Sequence, residues 1–203
     1  MPFTISINAV DNASASLSAL ASLLGSDELA ARVGDAEVAL FQNHFRANGS
    51  NKQGWPTTSF WARAAAATTW QAVDGGVAIS VNQTGVRQRW QGGTITPRGR
   101  TFLTIPARAE AYGKTAAEFN HLRVAYGRHG AFALVEADAS NKSSGKKGAA
   151  ADITGGGVYF WLVRSVFQAP DPSVMPADSE ISGTACDAIS SFLHQSGGPG
   201  GAR

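Results

Sequence analysis

Apolar and polar positions alternate at the start of the chain: Phe3, Ile5 and Ile7 are separated by Thr4, Ser6 and Asn8, the period of a strand with one buried face. After an Ala/Ser/Leu stretch the period changes. Leu29, Val33, Ala36, Leu40 and His44 recur on one helical face, and Val38, Phe41 and Phe45 widen it. Ser26 stands where a cap is needed, and Asp27 and Glu28 fill the first turn, where carboxylates complement the helix dipole. The pattern predicts a long helix running to about Ala47 and stopping at Gly49.

The next segment, NGSNKQGWPTTSFW, is rich in turn formers, and Pro56 restricts Trp55 to an extended conformation. Thr57 or Thr58 then caps a predicted second helix over SFWARAAAATTW, residues 59–70. Asp74, Gly75 and Gly76 separate WQAV from VAISVN, a hairpin signal in which Val77, Ile79 and Val81 face the core. From Gly85 onward, GVRQRWQGGTITPRGRTFLTIPARAEAYGKTAAEF has short apolar pieces broken by Gly, Pro and Arg, and reads as an extended arm with a strand at residues 102–105. A second hairpin joins LRVAY to AFALVE across Gly127, Arg128, His129 and Gly130. Residues 137–157 are poor in large apolar side chains and read as a flexible excursion. VYFWLVRSVFQ follows, β-branched and aromatic with almost no polar relief, and is predicted to be the central strand. A proline-rich turn leads to a last helix beginning at Asp178 or Ser179 and carrying Ile181, Ala185, Ile189 and Phe192. The pattern as a whole predicts an α+β fold: a small, mostly antiparallel sheet, a long helix in the N-terminal half, a C-terminal helix and an extended arm or loop. One domain over residues 1–194, with a disordered tail at 195–203, is expected.

Composition adds that the chain has core-forming material and an unusually uncharged surface: 43% of its 203 residues are hydrophobic and 16% are charged, against a usual charged share of about 25%. Such a surface suits burial against partners. Cys186 is alone and reads as a small buried helix residue; the absence of a partner excludes an internal disulfide. The N-terminal residues lack the basic and apolar regions of a signal peptide, and nowhere do 18 apolar residues run together, so an unexported protein outside membranes is expected. The net charge is +2, but the signs are uneven. Between residues 81 and 128 lie Arg87, Arg89, Arg98, Arg100, Arg108, Lys114, Arg123 and Arg128 against Glu110 and Glu118, a basic middle segment whose field suits a polyanion or an acidic subunit face.

Catalytic chemistry has little to work with. His44, His121, His129 and His194 form no HxxxH or HExxH pair. The glycines make neither GxxxxGK[ST] nor GxGxxG, no GxSxG elbow occurs, and the pairs Glu28 with Asp35 and Asp178 with Glu180 lie at helix starts, where capping accounts for them. No catalytic residue, cofactor site or metal site is predicted. Trp90, set between Arg89 and Gln91 in VRQRWQGG, is a large apolar side chain in a polar, glycine-bounded segment. It is expected, with Arg87, Arg89, Gly92 and Gly93, at a subunit or partner contact.

Three elements recur in order: Trp55, Pro56 and Thr58; then Gly92, Gly93, Thr94 and Ile95; then Ile105, Pro106, Ala107 and Arg108. Together with the long helix and the hairpin, they make residues 25–190 resemble the virion morphogenesis, or tail completion, proteins of long-tailed bacteriophages. The chain departs from the family in having Gln88, Arg89, Trp90 and Gln91 where a histidine and aromatic residues commonly precede the glycine pair, and in its excursion at 137–157. The resemblance implies an α+β structural subunit, made in the bacterial host cytoplasm and placed in the virion at the head-tail junction, as a tail completion, tail terminator or neck protein. It implies partners: copies of itself in a ring, six matching the symmetry of a tail and twelve a portal-derived collar, together with neighbouring neck, connector or tail tube proteins, and DNA in passage. In such a ring Arg98, Arg100, Arg128, Lys142, Lys146 and Lys147, all in expected loops, are the candidates to line the channel. Two alternatives from other classes are an assembly factor that leaves the particle and a nucleic-acid-binding module using the basic middle segment, which salt-dependent duplex binding would reveal.

Overall fold

The computed structural model describes residues 13–48, 54–55, 58–126, 132–136 and 157–196. The protein is α+β, and every strand pairing among the described residues is antiparallel. The chain divides into two compact units: Met1–His44 with Ala65–Asn82 and Pro176–Arg203, and Phe45–Ala64 with Gln83–Met175. No helix among the described residues is long and apolar enough to cross a membrane.

The first unit is helical around one hairpin. Helix α1 (Ala13–Leu24) occupies the Ala/Ser/Leu stretch, where the sequence gives no helical period but high-propensity Ala and Leu suffice. Ser26 then turns the chain: its hydroxyl donates to the Leu23 carbonyl at 2.7 Å and accepts the Leu29 N–H at 3.2 Å, closing α1 and capping α2 (Asp27–Ala47). The predicted long helix is thus found, with its acidic first turn. The predicted stop at Gly49 lies outside the described residues, as does the strand at residues 3–7.

Helix α3 is Phe60–Ala66, shorter than the predicted 59–70, because Thr68–Val73 form strand β1 instead. An alanine run is compatible with either outcome. The β-branched and aromatic Thr68, Thr69 and Trp70 are drawn into the ladder with β2 (Gly76–Val81), where Trp70 lies opposite Ile79 and Val73 opposite Gly76. Gly75 makes the turn at φ 75°. Val77, Ile79 and Val81 are half-buried, but so are Ala78 and Ser80, so β2 shows no clean inner face.

The second unit holds most of the sheet. Helix α4 is Val86–Gln91, and β3 (Gly93–Ile95) pairs with β8 (Val166–Gln168) as a two-stranded ribbon. β4 (Leu103–Pro106), β5 (Leu122–Tyr126), β6 (Phe132–Glu136) and β7 (Val158–Val163) form a four-stranded sheet in the order β4-β7-β6-β5. The predicted central strand is indeed central, though it breaks after Val163, where Arg164 and Ser165 are exposed, and resumes as β8 in the other sheet. The predicted second hairpin is β5 with β6; its turn lies outside the described residues. One side of the sheet packs Ala125, Ala133, Val135 and Val158 with Ala107. On the other, Tyr159 and Phe160 are covered by Ala111, Ala116 and Phe119 from two short 3-10 turns in the predicted arm, which is therefore folded onto the sheet rather than extended. Phe160, 1% exposed, is the most deeply buried ring in that layer; burial of such a ring stabilises by roughly 1.5–3 kcal/mol.

The last helix, α5 (Asp178–Ser196), begins where predicted; the Glu180 carboxylate accepts the Ala177 N–H at 2.9 Å at its start. It continues through Gln195 and Ser196 before the described residues end. Cys186 on this helix is exposed, not buried as expected. Its neighbour Asp187 is also exposed, whereas Ala185, Ala188 and Ile189 are half-buried, so the helix buries a narrow stripe that excludes position 186.

Candidate functional site

The segment VRQRWQGG, predicted to be loop, is a short helix held between glycines. Gly85 before α4 has φ 94°, and Gly92 after it has φ 68° and ψ −160°, a region open essentially to glycine alone. A Cβ at Gly92 would also fall 2.5 Å from the Pro170 nitrogen and 2.6 Å from the Gln168 carbonyl oxygen. The chain leaving β8 therefore closes directly against the end of α4. Asp171 seals the contact: its N–H donates to the carbonyls of both Arg89 and Trp90 at 3.1 Å, while its carboxylate accepts the Ser173 N–H at 3.2 Å and hydroxyl at 2.6 Å. Gln88 adds a side-chain bond to the Gly92 carbonyl at 2.9 Å.

The helix divides its side chains. Val86 is buried, and Arg89 turns inward, its guanidinium 4.7 Å from the ring centroid of Phe60 and 5.6 Å from that of Trp61. Trp61 in turn stacks on the fully buried Phe45 at 5.9 Å. Arg89 is accordingly part of the packing, and only Arg87 and Trp90 of the three predicted contact side chains face outward. Arg87 is tied to Gln91 at 2.9 Å, and Trp90 is 41% exposed. A second ring stands out in the same unit: Phe167 on β8, opposite Thr94, is 70% exposed. Nothing in the sequence singled it out, because it lies within a run that reads as core.

Among the basic residues, Arg98 and Arg100 are exposed on either side of Gly99 between β3 and β4, whereas Arg128, Lys142, Lys146 and Lys147 lie outside the described residues. Arg108 is spent internally, 4.5 Å over the Tyr159 ring and 3.8 Å from Glu110. The basic middle segment is therefore less of a free cationic face than its count suggests.

The three sequence elements, at Trp55 to Thr58, Gly92 to Ile95 and Ile105 to Arg108, all lie in the second unit. Trp55 meets Tyr112 edge-on at 5.5 Å, and a Cβ at Gly113 would come 2.8 Å from the Thr58 methyl; Pro56 is outside the described residues. The glycine pair ends α4, and Ile105, Pro106, Ala107 and Arg108 run along β4 and out of it toward Tyr159.

In the first unit one side chain was missed. Glu37 on α2 is 3% exposed, and neither carboxylate oxygen has a hydrogen-bond partner among the described residues. Desolvation raises its pKa above the ordinary carboxylate value. It lies one turn beyond Val33 on the buried side, so the helical period could have located it. A groove of about 310 Å³ in the same unit is lined by apolar side chains including Leu24, Leu29, Val33, Val73 and Ile189. No group of three or more metal-ligating side chains occurs among the described residues. Comparisons with protein-family models, with curated proteins and with solved structures found no match.

Proposed function

We propose that this chain is a structural, non-enzymatic subunit of a long-tailed bacteriophage particle, assembled with copies of itself as a ring at the head-tail junction. The observation that carries the reading is the ordered set of Trp55-Pro56-x-Thr58, Gly92-Gly93-Thr94-Ile95 and Ile105-Pro106-Ala107-Arg108, which resembles the tail completion proteins. Supporting it, α4 is a rigid mount: its inward residues and its glycine ends are fixed, and it offers Trp90 to solvent at little cost in conformational entropy. Exposed Trp90 and Phe167, with a low charge density, suit a surface that is covered in an assembly. Six copies match a tail axis, with heterologous contacts around the ring. Arg98 and Arg100 are the described candidates for the channel wall, where repeated weak positive charge accompanies DNA in passage. Nucleic-acid recognition as the main role is less favoured, since Arg89 and Arg108 are engaged with aromatic rings.

The test is the protein content of purified particles of the phage that encodes the chain. A ring subunit is retained in a fixed small copy number, and labelling places it between head and tail. Its absence from finished particles would instead make it an assembly factor.

A further inference from the structure

The four-stranded sheet ends on β5, and the hydrogen-bond parity fixes which of its backbone groups face outward. Glu136 donates its N–H to the Gly157 carbonyl at 3.1 Å, so Glu136, Leu134 and Phe132 direct their backbone groups toward β7. Ala133 and Val135 therefore face β5, opposite Ala125 and Arg123, because a strand residue sends its N–H and C=O to the same side. Leu122, Val124 and Tyr126 are left pointing away from the sheet. No backbone hydrogen bond among the described residues uses those outward groups. The same strand carries exposed apolar side chains, Val124 at 48% and Tyr126 at 60%.

The opposite edge is built differently. Ala107 donates to the Tyr159 carbonyl at 2.8 Å, so Ile105 and Leu103 turn toward β7, and Thr104 and Pro106 turn outward. Pro106 has no N–H to offer, which blunts that edge. β5 has no proline, no glycine and one charge, Arg123, whose backbone groups face inward. Among the described residues it is an open edge, of the kind that accepts another strand.

We propose that β5 is a self-association edge, to which a second copy of the chain adds its own β5, antiparallel and centred on Val124. In that register Val124 lies opposite Val124 and Leu122 opposite Tyr126, so all the outward-facing residues meet as hydrogen-bonded pairs. Arg123 falls opposite Ala125, and the strand's single charge does not meet its own copy. A slip of the centre by one residue to Arg123 keeps the parity but sets Arg123 against Arg123, and like charges directly opposite are destabilising. Centring between residues sets outward groups against inward ones and loses the bonds. Centring on Ala125 also keeps the parity but matches only Val124 with Tyr126 and leaves Leu122 unpaired, so the register centred on Val124 alone pairs all three outward-facing residues of the strand. Behind it, Tyr126 is held edge-on to Phe132 at 5.1 Å, and Phe132 packs on Phe102 at 5.1 Å, so the apolar surface that the pair would extend is already ordered. The pairing relates two copies by a two-fold axis. It is independent of the ring reading, whose contacts are heterologous, and either can fail without the other.

Cross-linking of the full chain tests it, with Cys186→Ser as background so that the native thiol does not interfere. In a hydrogen-bonded antiparallel pair the facing Cα atoms are about 5.5 Å apart, within disulfide reach. Val124→Cys should therefore oxidise readily to a covalent dimer. Leu122→Cys and Tyr126→Cys alone should not, and the two combined should. The unsubstituted chain should show a concentration-dependent dimer in sedimentation, and Val124→Lys should weaken it about tenfold or more. The proposal is overturned if Val124→Cys cross-links no faster than Leu122→Cys while both retain the native near-ultraviolet circular dichroism. Should the cysteine variants unfold, a strictly single-chain sedimentation of the unsubstituted protein overturns it equally.

Discussion

The indole of Trp70 on β1 lies against the backbone of Gly34 on α2, so closely that a Cβ at residue 34 would fall 2.6 Å from Cγ of the ring, and the indole N–H donates to the Asp35 carboxylate at 2.8 Å. Hairpin and helix are thereby locked in the first unit. A glycine inside a helix costs roughly 0.5–1 kcal/mol relative to alanine, and here the close approach of the ring offsets that cost. Gly34→Ala should destabilise the protein by about 1–3 kcal/mol, as overpacking does, measured by denaturant unfolding. In a Trp70→Leu background the same change should become neutral or stabilising. Equal destabilisation in both backgrounds would mean that the ring is not the reason for the glycine.

Glu37 makes stability depend on pH in the unusual direction for a carboxylate. Burial with no hydrogen-bond partner among the described residues raises its folded pKa above the ordinary carboxylate value. Its contribution is therefore fully present below the unfolded pKa and is lost as pH rises through the folded one. Glu37→Gln should be close to neutral at low pH and should stabilise, by on the order of 1 kcal/mol, once the wild-type carboxylate is ionised. Parallel unfolding titrations of the two proteins across the range from pH 4 to 8, on the order of the carboxylate window, would show the gap opening with pH. A constant gap would locate the effect elsewhere.

Gly92 is required by backbone strain and by contact at once. Gly92→Ala should cost about 2 kcal/mol or more, since φ 68° with ψ −160° is denied to side-chain-bearing residues and the Cβ meets Pro170 and Gln168. Gly99→Ala pays only for its φ of 70°, with no atom within 4 Å of its Cβ, and should cost less. Thermal unfolding of the two variants ranks them.

Trp90 and Arg89 are neighbours with opposite duties. Trp90→Ala should lower the stability of the free chain by about 1 kcal/mol or less, far below the roughly 3–5 kcal/mol of a core tryptophan, yet impair assembly. Arg89→Ala should do the reverse, loosening α4 from Phe60 and Trp61. Unfolding curves set beside assembly yields of the two variants would separate these roles; a large loss of stability in Trp90→Ala contradicts the contact reading.

Where periodicity and chemistry agree, the sequence is a sufficient guide. The Ser26 cap with its acidic first turn locates α2, and Asp74-Gly75-Gly76 locates the first hairpin. It fails where local pattern is ambiguous and tertiary pairing decides. Residues 67–70 could extend an alanine helix, but their ladder to β2 makes them a strand. Residues 86–91 look like loop because glycines flank them, yet those glycines are what end a one-turn helix cleanly. Of the predicted contact set, the outward placement of Arg87 and Trp90 could be read from the polar, glycine-bounded segment around them. That Arg89 turns inward could not, since it depends on Phe60 and Trp61, more than twenty residues away. Phe167 was hidden in an apolar run whose break at Arg164 and Ser165 moves it to a separate ribbon.

The central claim is that this chain is a ring subunit, and the most direct measurement is the native mass of the purified protein, alone and after mixing with the tail tube protein of the same phage. Each chain contributes 21.1 kDa. The account predicts that mixing yields a closed species containing six copies, bound to tube ends and visible there as a ring. A mass of one chain, or only of a β5-linked pair, with no binding to tube ends in the mixture, would contradict it.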